Sequence, residues 1–257
     1  PATAEGDDAP VPSMLQVVKL LLGKPTFLHM TFGCALIGFA NFGINMFMPI
    51  YFNRVFDMSY AQAGLAFGLI TGVGALFGTS FGGFMADWAG KRDSRWYLWV
   101  VALGVALATP FYLAAFLQTN WIVAVSMMLV FGSVMYTWYG STFAVTYTLV
   151  GPRMRASASA IVLLVNTLIG QGLGPIFIGG ASDVFTRRAH AGGEYAASCS
   201  AHALEGAAAG AAQACTQAAA PAIRYATVLC GLVFLWGALH YFLASRTLRQ
   251  DQAPVTP

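Results

Sequence analysis

The sequence predicts an all-α membrane protein, a bundle of six transmembrane helices, on three observations. Hydrophobic residues make up 58% of the 257 positions and charged residues only 9%, whereas soluble domains carry about 25% charged residues. Six stretches are mostly apolar over at least the roughly 20 residues that a helix needs to cross a bilayer. The basic residues collect in the short segments between these stretches, as they do in membrane proteins.

The residues before the first span fall into two parts. Residues 1–12 are acidic and rich in Pro and Ala, which predicts a disordered central linker. Residues 13–24 repeat apolar side chains at helical spacing but are too short to span. They predict an amphipathic interfacial helix on the cytoplasmic surface. Because the first residue is not Met and an acidic linker is an odd beginning for a membrane protein, we interpret the chain as a piece of a longer one.

The transmembrane domain is predicted over residues 25–246. Its six spans are expected near residues 26–53, 59–86, 96–117, 121–150, 156–185 and 222–245. A long extracytoplasmic loop over residues 186–221 precedes the last span, and residues 247–257 form a cytoplasmic tail. Cys199 and Cys215 in that loop either form a disulfide, if the compartment is oxidising, or are two free small residues.

The distribution of Lys and Arg predicts the orientation. An even number of spans places both termini on one side, and nine of the 13 basic residues fall on that side. These nine are Lys19, Lys24, Lys91, Arg92, Arg95, Arg153, Arg155, Arg246 and Arg249. The other four are Arg54, Arg187, Arg188 and Arg224. Because cytoplasmic loops carry the excess of basic residues, we predict cytoplasmic termini, in a bacterial inner membrane.

The densest charge cluster lies between the second and third spans, over residues 82–95. Gly83 and Asp87 share a helix face, so a neighbouring helix can approach the glycine closely. The carboxylate can then pair with cations or with the N-terminus of a neighbouring helix. Gly90 permits a tight turn before the cations. We predict a gate formed by Gly83, Asp87, Gly90, Lys91, Arg92 and Arg95. The alternative is an ordinary loop whose charges only fix the orientation.

Neutral polar side chains inside the spans predict a solute cavity, because polar groups are costly in lipid. They share helix faces with aromatic side chains in the first, fourth and fifth spans. The candidates are Asn41, Asn45, Trp138, Tyr139, Thr142, Asn166 and Gln171. The alternative for these residues is hydrogen bonding or packing between helices.

The fifth span carries two further signals. Gly174 followed by Pro175 predicts a bend, because proline removes a backbone hydrogen bond. Residues 179–183 then echo residues 82–87 at the other membrane face, and an inverted repeat of three plus three helices produces such an echo. Asp183 is therefore predicted as a second gate.

Glycines that recur every four residues predict helices in close contact. They form three ladders, which are Gly64, Gly68 and Gly72; Gly74, Gly78 and Gly82; and Gly170 and Gly174.

The pattern G-x-x-x-D-x-x-G-K-R over residues 83–92 resembles the cytoplasmic loop motif of the major facilitator superfamily. Residues 149–160 and 166–183 resemble the fourth-to-fifth helix region of spinster-like members. The resemblance implies the C-terminal half of a twelve-helix transporter, with an N-terminal six-helix half as its partner. Trp88 departs from the family pattern, which has Arg or Lys there. Either the gate is weaker, or Arg92 or Arg95 supplies the cation that pairs with Asp87.

The residue types inside the spans indicate which class of solute the protein could move. The acids lie outside the middle of the spans, and a proton relay needs a titratable group in the pathway. We therefore expect any proton or ion coupling to run through the N-terminal half, with no cofactor and no metal here. Neutral and aromatic contacts favour a small amphiphilic or lipid-like substrate. The resemblance implies a sphingolipid or lysophospholipid moved by alternating access. The alternative is a small organic anion or a drug-like compound.

The net charge and its distribution indicate which other partners to expect. Membrane lipids are expected as partners, and nucleic acid is not, because the net charge is only +3 with no basic stripe.

A different function is suggested by a short motif in the second span. The G-x-S-x-G elbow pattern is matched by Gly78-Thr79-Ser80-Phe81-Gly82, so an intramembrane serine protease using Ser80 and His240 is a remote alternative. We expect no enzyme, because the elbow needs a strand-to-helix turn. A half-size transporter that dimerises is the third possibility.

Overall fold

The computed structural model describes residues 12–189, 199 and 211–252. In this part of the chain the secondary structure is helical, without strands, and six helical segments are long and apolar enough to cross a membrane. The predicted fold class is therefore confirmed. Most of the predicted linker, much of the predicted 186–221 loop and the last five residues of the predicted tail lie outside the described residues.

The first helices begin with clear local signals. Helix α1 (Met14–Leu22) starts in a capping box, in which Ser13 and Gln16 satisfy each other's backbone N–H groups. Helix α2 (Pro25–Phe56) is the first span and has proline at its first position, where the missing N–H costs nothing. The position of α1 on a membrane surface stays a prediction.

The second and third spans are single helices. Helix α3 (Tyr60–Gly90) starts in a second capping box, made by Ser59 and Gln62. Helix α4 (Trp96–Phe116) contains Pro110 without interruption. Both helices are therefore continuous along their whole length.

The fourth and fifth spans are interrupted. Helices α5 (Trp121–Met135) and α6 (Thr137–Leu149) form the fourth span and are separated at Tyr136. In the fifth span, a short 3-10 turn leads into α7 (Arg155–Val165), a π-helical segment (Asn166–Leu173) and α8 (Gly174–Ala189). The irregularity expected at Pro175 thus lies in the turns before the proline. Helix α9 (Ala211–Asp251) contains the sixth span.

The spans differ in the share of their residues that is buried against the rest of the chain. In the most apolar window of the first span 67% of the residues are buried, compared with 22% in the second span and 28% in the fifth. Helix α2 is central because it packs against α9 and against the π-helical segment and α8 of the fifth span. The second and fifth spans therefore present most of their surface outward.

Glycines make the closest helix contacts. A Cβ atom placed on Gly74 would lie 2.9 Å from the backbone carbon of Gly132, and one on Gly82 would lie 2.6 Å from the Thr137 Cβ atom. Gly174 makes an equally tight contact with α2. These two ladders confirm the predicted close packing. The third ladder does not pack in this way, because no described atom lies within 4 Å of the Cβ positions of Gly64, Gly68 and Gly72.

The four cysteines divide into two pairs. Cys199 and Cys215 form a disulfide, which selects the first of the two alternatives that the sequence left open. It joins residues 16 positions apart and so constrains the unfolded chain across that segment. Cys34 and Cys230 are buried free thiols within spans.

Candidate functional site

The start of α2, the α3–α4 loop and the end of α9 meet at one end of the bundle, which we call the basic end. The Lys24 ammonium donates to the Asp251 backbone carbonyl at 2.5 Å, and the Thr26 N–H donates to the Asp251 carboxylate at 2.8 Å. A carboxylate at this position satisfies an orphan donor of the helix N-terminus and complements its dipole. The last helix is therefore fastened to the first span.

Asp87 lies near the end of α3 at the basic end, with its side chain exposed. The Tyr97 hydroxyl of α4 donates to the Asp87 carboxylate at 2.9 Å. The ring of Tyr97 reaches this position over Gly90, since a Cβ atom placed on Gly90 would lie only 2.5 Å from the ring edge. Gly90 therefore does more than permit a turn, because it lets Tyr97 reach Asp87.

Gly83 lies one helical turn before Asp87, on the same face of α3. No described atom lies within 4 Å of its Cβ position. The glycine and the exposed carboxylate thus form one open face, with room for the backbone of another helix.

The two arginines of the motif contact other side chains than Asp87 in this conformation. The Arg92 guanidinium lies 4.8 Å above the ring of Trp88, and the Arg95 guanidinium lies 4.8 Å above Trp99. Cation–π contacts at exposed sites contribute about 0.5–1 kcal/mol. Trp88, which departs from the family pattern, therefore holds Arg92. Within the described residues neither arginine forms an ion pair with Asp87.

Asp93 is the acid that pairs with the loop cations. Its carboxylate accepts bonds from Arg95 at 2.8 Å and from Arg249 of α9 at 2.9 Å. These guanidinium groups, Arg95 first, lower the pKa of the Asp93 carboxyl to about 2. Sequence reasoning missed this role, because Arg249 lies 156 positions away and no local pattern connects the two.

Replacing Asp93 with asparagine is expected to lower the melting temperature by a similar amount at every pH between about 5 and 8. A depressed carboxyl pKa stabilises the fold above the unfolded value of about 3.9, and this contribution is lost as the pH falls through about 2. The difference between the two proteins should therefore shrink between about pH 4 and pH 2. Thermal unfolding in detergent across this range measures it, with Asp183→Asn as the control. A difference that stays constant down to pH 2 contradicts this assignment.

The predicted cavity residues of the first span lie beside a small cavity in the bundle. The Asn45 amide donates to the Asn41 side-chain carbonyl at 3.1 Å. Both residues line a cavity of about 20 Å³, together with Thr71, Tyr112 and Tyr136. This volume admits about one water molecule, so the cavity that these described residues line is too small for a solute.

The predicted cavity residues of the fourth and fifth spans are mostly buried between helices. Trp138 is buried and stacks on the half-buried Tyr139, with ring centroids 3.8 Å apart. The buried Thr142 hydroxyl lies 2.5 Å from the Tyr241 hydroxyl, and the buried Asn166 amide donates to the Cys34 carbonyl at 2.9 Å.

The side chains of Cys34 and Tyr241 also contact each other, so a buried polar chain links four spans. Thr142 and Asn166 thus have the interhelical contacts given as their alternative role, whereas Gln171 is exposed. Sequence reasoning missed both Tyr241 and Cys34 as members of this polar chain. The buried polar chain in which they lie offers no local sequence signal.

The fifth-span residues lie on two sides of α8. Gly174 is buried against α2, with Pro175 half-buried beside it. Asp183 is exposed, and its backbone carbonyl accepts a bond from Arg187 at 3.3 Å. Its role as a second gate stays a prediction.

The protease rival lacks the required geometry. Ser80 lies inside the uninterrupted helix α3 and not at a strand-to-helix turn. The Nδ1 atom of His240 lies 3.0 Å from that of His29, so its ring is held by α2.

The fold and the site define a multi-pass α-helical membrane protein, with helices in glycine contact and an acidic and basic loop motif at one end. The family model described as the Major Facilitator Superfamily matches residues 1–175. The chain therefore belongs to the Major Facilitator Superfamily.

Individual relatives give the same assignment. An "MFS-type efflux pump" of Mycolicibacterium smegmatis is 32% identical over 166 residues, covering 65% of this chain and 38% of that protein. "Protein spinster homolog 1" of Xenopus tropicalis is 26% identical over 179 residues, covering 65% of this chain and 34% of that protein. The chain thus spans just over a third of the length of these relatives.

Two solved structures are also similar. Both are crystal structures of a bacterial homologue of the human lysosomal transporter Spinster in inward-facing conformations. The occupied form has a TM-score of 0.78 at 31% identity and is matched over 91% of this chain and 51% of that one. The unoccupied form has a TM-score of 0.84 at 28% identity and is matched over 98% of this chain and 55% of that one. The resemblance to spinster-like members is therefore confirmed.

Proposed function

We propose that the chain is the C-terminal six-helix half of a secondary transporter that works by alternating access. The observation that carries this proposal is the uncovered face of the second span. Only 22% of its most apolar window is buried, and the Gly64, Gly68 and Gly72 ladder faces open space. A glycine face fits the close approach of another helix. An N-terminal six-helix half is the occupant that the resemblance implies.

The open face of Gly83 and Asp87 supports a gate in such a pair of halves. A carboxylate beside a glycine can receive the N-terminus of a helix from the other half. The contact forms when the halves close at the basic end and breaks when they rock apart. The basic end would be cytoplasmic, because it carries the excess of Lys and Arg.

The solute that these spans suit best is amphiphilic or lipid-like. The candidate contacts are neutral amides, hydroxyls and aromatic rings. Among them Asn41, Asn45 and Tyr139 are partly accessible and Gln171 is exposed. At the other end of α3, Leu65, Leu69 and Trp121 line a mainly apolar cavity of about 330 Å³, a size that admits part of a hydrocarbon chain. Both features favour a sphingolipid or lysophospholipid over a multivalent anion. Similarity to an efflux pump keeps a drug-like compound as the second candidate.

We expect the full-length protein in proteoliposomes to move a fluorescent lysophosphatidylcholine saturably, faster than empty liposomes do. Uptake and efflux are measured with and without a pH gradient, because the gradient reveals coupling to protons. A cationic dye serves as the drug-like comparison in the same vesicles. Dye transport without lysolipid transport would overturn the proposed solute class, and the absence of both would overturn the transporter assignment.

A further inference from the structure

Arg224 lies near the start of the sixth apolar segment, at the end of the bundle opposite the basic end. One of its Nη atoms donates to the Gln118 carbonyl at 3.4 Å, and the guanidinium lies beside the Tyr51 hydroxyl. The Nε atom is buried and has no hydrogen-bond partner. A guanidinium carries five N–H donors, so donors remain beyond its contacts with Gln118 and Tyr51.

A cavity of about 320 Å³ opens at this arginine. It is lined by Val55 at the end of α2 and by residues of α9, namely Ala220, Pro221, Arg224 and Tyr225. A cavity needs only about 10–15 Å³ to hold one water molecule, so this cavity admits a larger group. Arg224 and Tyr225 are its polar lining residues, and Val55, Ala220 and Pro221 supply its apolar wall.

The charge of Arg224 is not compensated within the part of the chain that the structure describes. The ion pairs found there join Asp93 to Arg95 and Arg249, at the basic end. A partly buried cation without a counter-ion is costly. The planar guanidinium fork matches the oxygens of a phosphate group in a bidentate contact.

We propose that Arg224 and Tyr225 form a binding site for a phosphate group at this end of the bundle. The phosphate comes either from a phospholipid headgroup or from free inorganic phosphate. The depth of Arg224, within the first turns of an apolar segment, is that of lipid headgroups. The apolar wall gives room for the glycerol and upper acyl carbons of a lipid. The site is separate from the gate and from the candidate cavity residues, so it does not depend on the proposed transport.

The test is lipid binding to the purified full-length protein, measured by native mass spectrometry after delipidation. Phosphatidylglycerol, the diacylglycerol with the same chains and inorganic phosphate are added in separate titrations. We expect phosphatidylglycerol to bind, and Arg224→Gln to weaken this binding by about tenfold or more, the effect of losing a charge-assisted hydrogen bond. Arg188→Gln is the matched control, because it removes an exposed arginine on the same side. It should leave the affinity unchanged.

A second measurement needs no variant. Phenylglyoxal modifies accessible arginines, and peptide mass spectrometry reads each position. Phosphatidylglycerol should protect Arg224 and leave Arg188 reactive.

The outcomes separate the two sources. Binding and protection by phosphatidylglycerol alone assign the site to a lipid headgroup, and the same effects from inorganic phosphate assign it to the free anion. Equal binding of phosphatidylglycerol to Arg224→Gln and the unmodified protein, or equal binding of diacylglycerol, would overturn the proposal. Unchanged modification of Arg224 in the presence of both phosphate compounds would also overturn it.

Discussion

Replacing Gly174 with alanine is expected to destabilise the protein by about 1–3 kcal/mol, the range for overpacked sites. A Cβ atom on Gly174 would lie 2.3 Å from the Phe39 carbonyl oxygen and 2.9 Å from the Gly43 nitrogen. Both obstacles are backbone atoms of the central helix α2, which cannot turn aside as a side chain can. The helices would have to separate, and close-packed interiors transmit such a shift.

Gly180→Ala is the matched control for this prediction, because it lies in the same helix with no described atom within 4 Å of its Cβ position. Alanine there should leave stability unchanged or raise it by up to about 1 kcal/mol, since alanine favours the helix. Thermal unfolding of the detergent-solubilised variants compares the two. Equal melting temperatures for both variants would contradict the packing argument.

Replacing Asp87 with alanine in the full-length protein is expected to change the ratio of open to closed conformations by about tenfold or more. Hydrogen bonds to charged groups contribute about 1.5–3 kcal/mol, and 1.4 kcal/mol is a factor of ten in an equilibrium. Transport should fall with this shift, because both conformations are needed in each cycle. Distance measurements between spin labels on the two halves report the populations, and proteoliposome assays report transport.

Tyr97→Phe separates two possible origins of the Asp87 effect. This variant removes the hydroxyl that binds Asp87 and keeps the ring over Gly90. We expect only a small change if, as proposed above, the Asp87 carboxylate acts on the other half across the open face that it forms with Gly83. An equal loss in both variants would place its effect within this chain. Unchanged transport and populations in Asp87→Ala would remove the gate role.

The number and type of the spans could be predicted from the sequence, because the length and apolar character of each segment are local properties. The Gly83–Asp87 motif could be found for the same reason, since a helix turn sets its spacing. The glycine ladders show the limit of such reasoning. Gly64, Gly68 and Gly72 have the same spacing as Gly74, Gly78 and Gly82, yet only the second set packs against α5 and α6.

The features that the sequence did not predict depend on contacts between distant residues. The π-helical segment begins at Asn166, whose amide is bonded to α2, and the Tyr136 break carries no glycine or proline. No local pattern distinguished Asp93 from the other acids, because its partner Arg249 is brought next to it only by the fold. Cys199 and Cys215 could be paired only once their positions in space were known.

The bond between Asp251 and the start of α2 has a mechanical consequence. It holds together the start of the first span and the end of the last, which lie at opposite ends of the six-span segment in sequence. A force applied to the chain just before α2 therefore acts on α9 as well. Pulling α2 away from the bundle at this end requires breaking the bonds to Asp251 first.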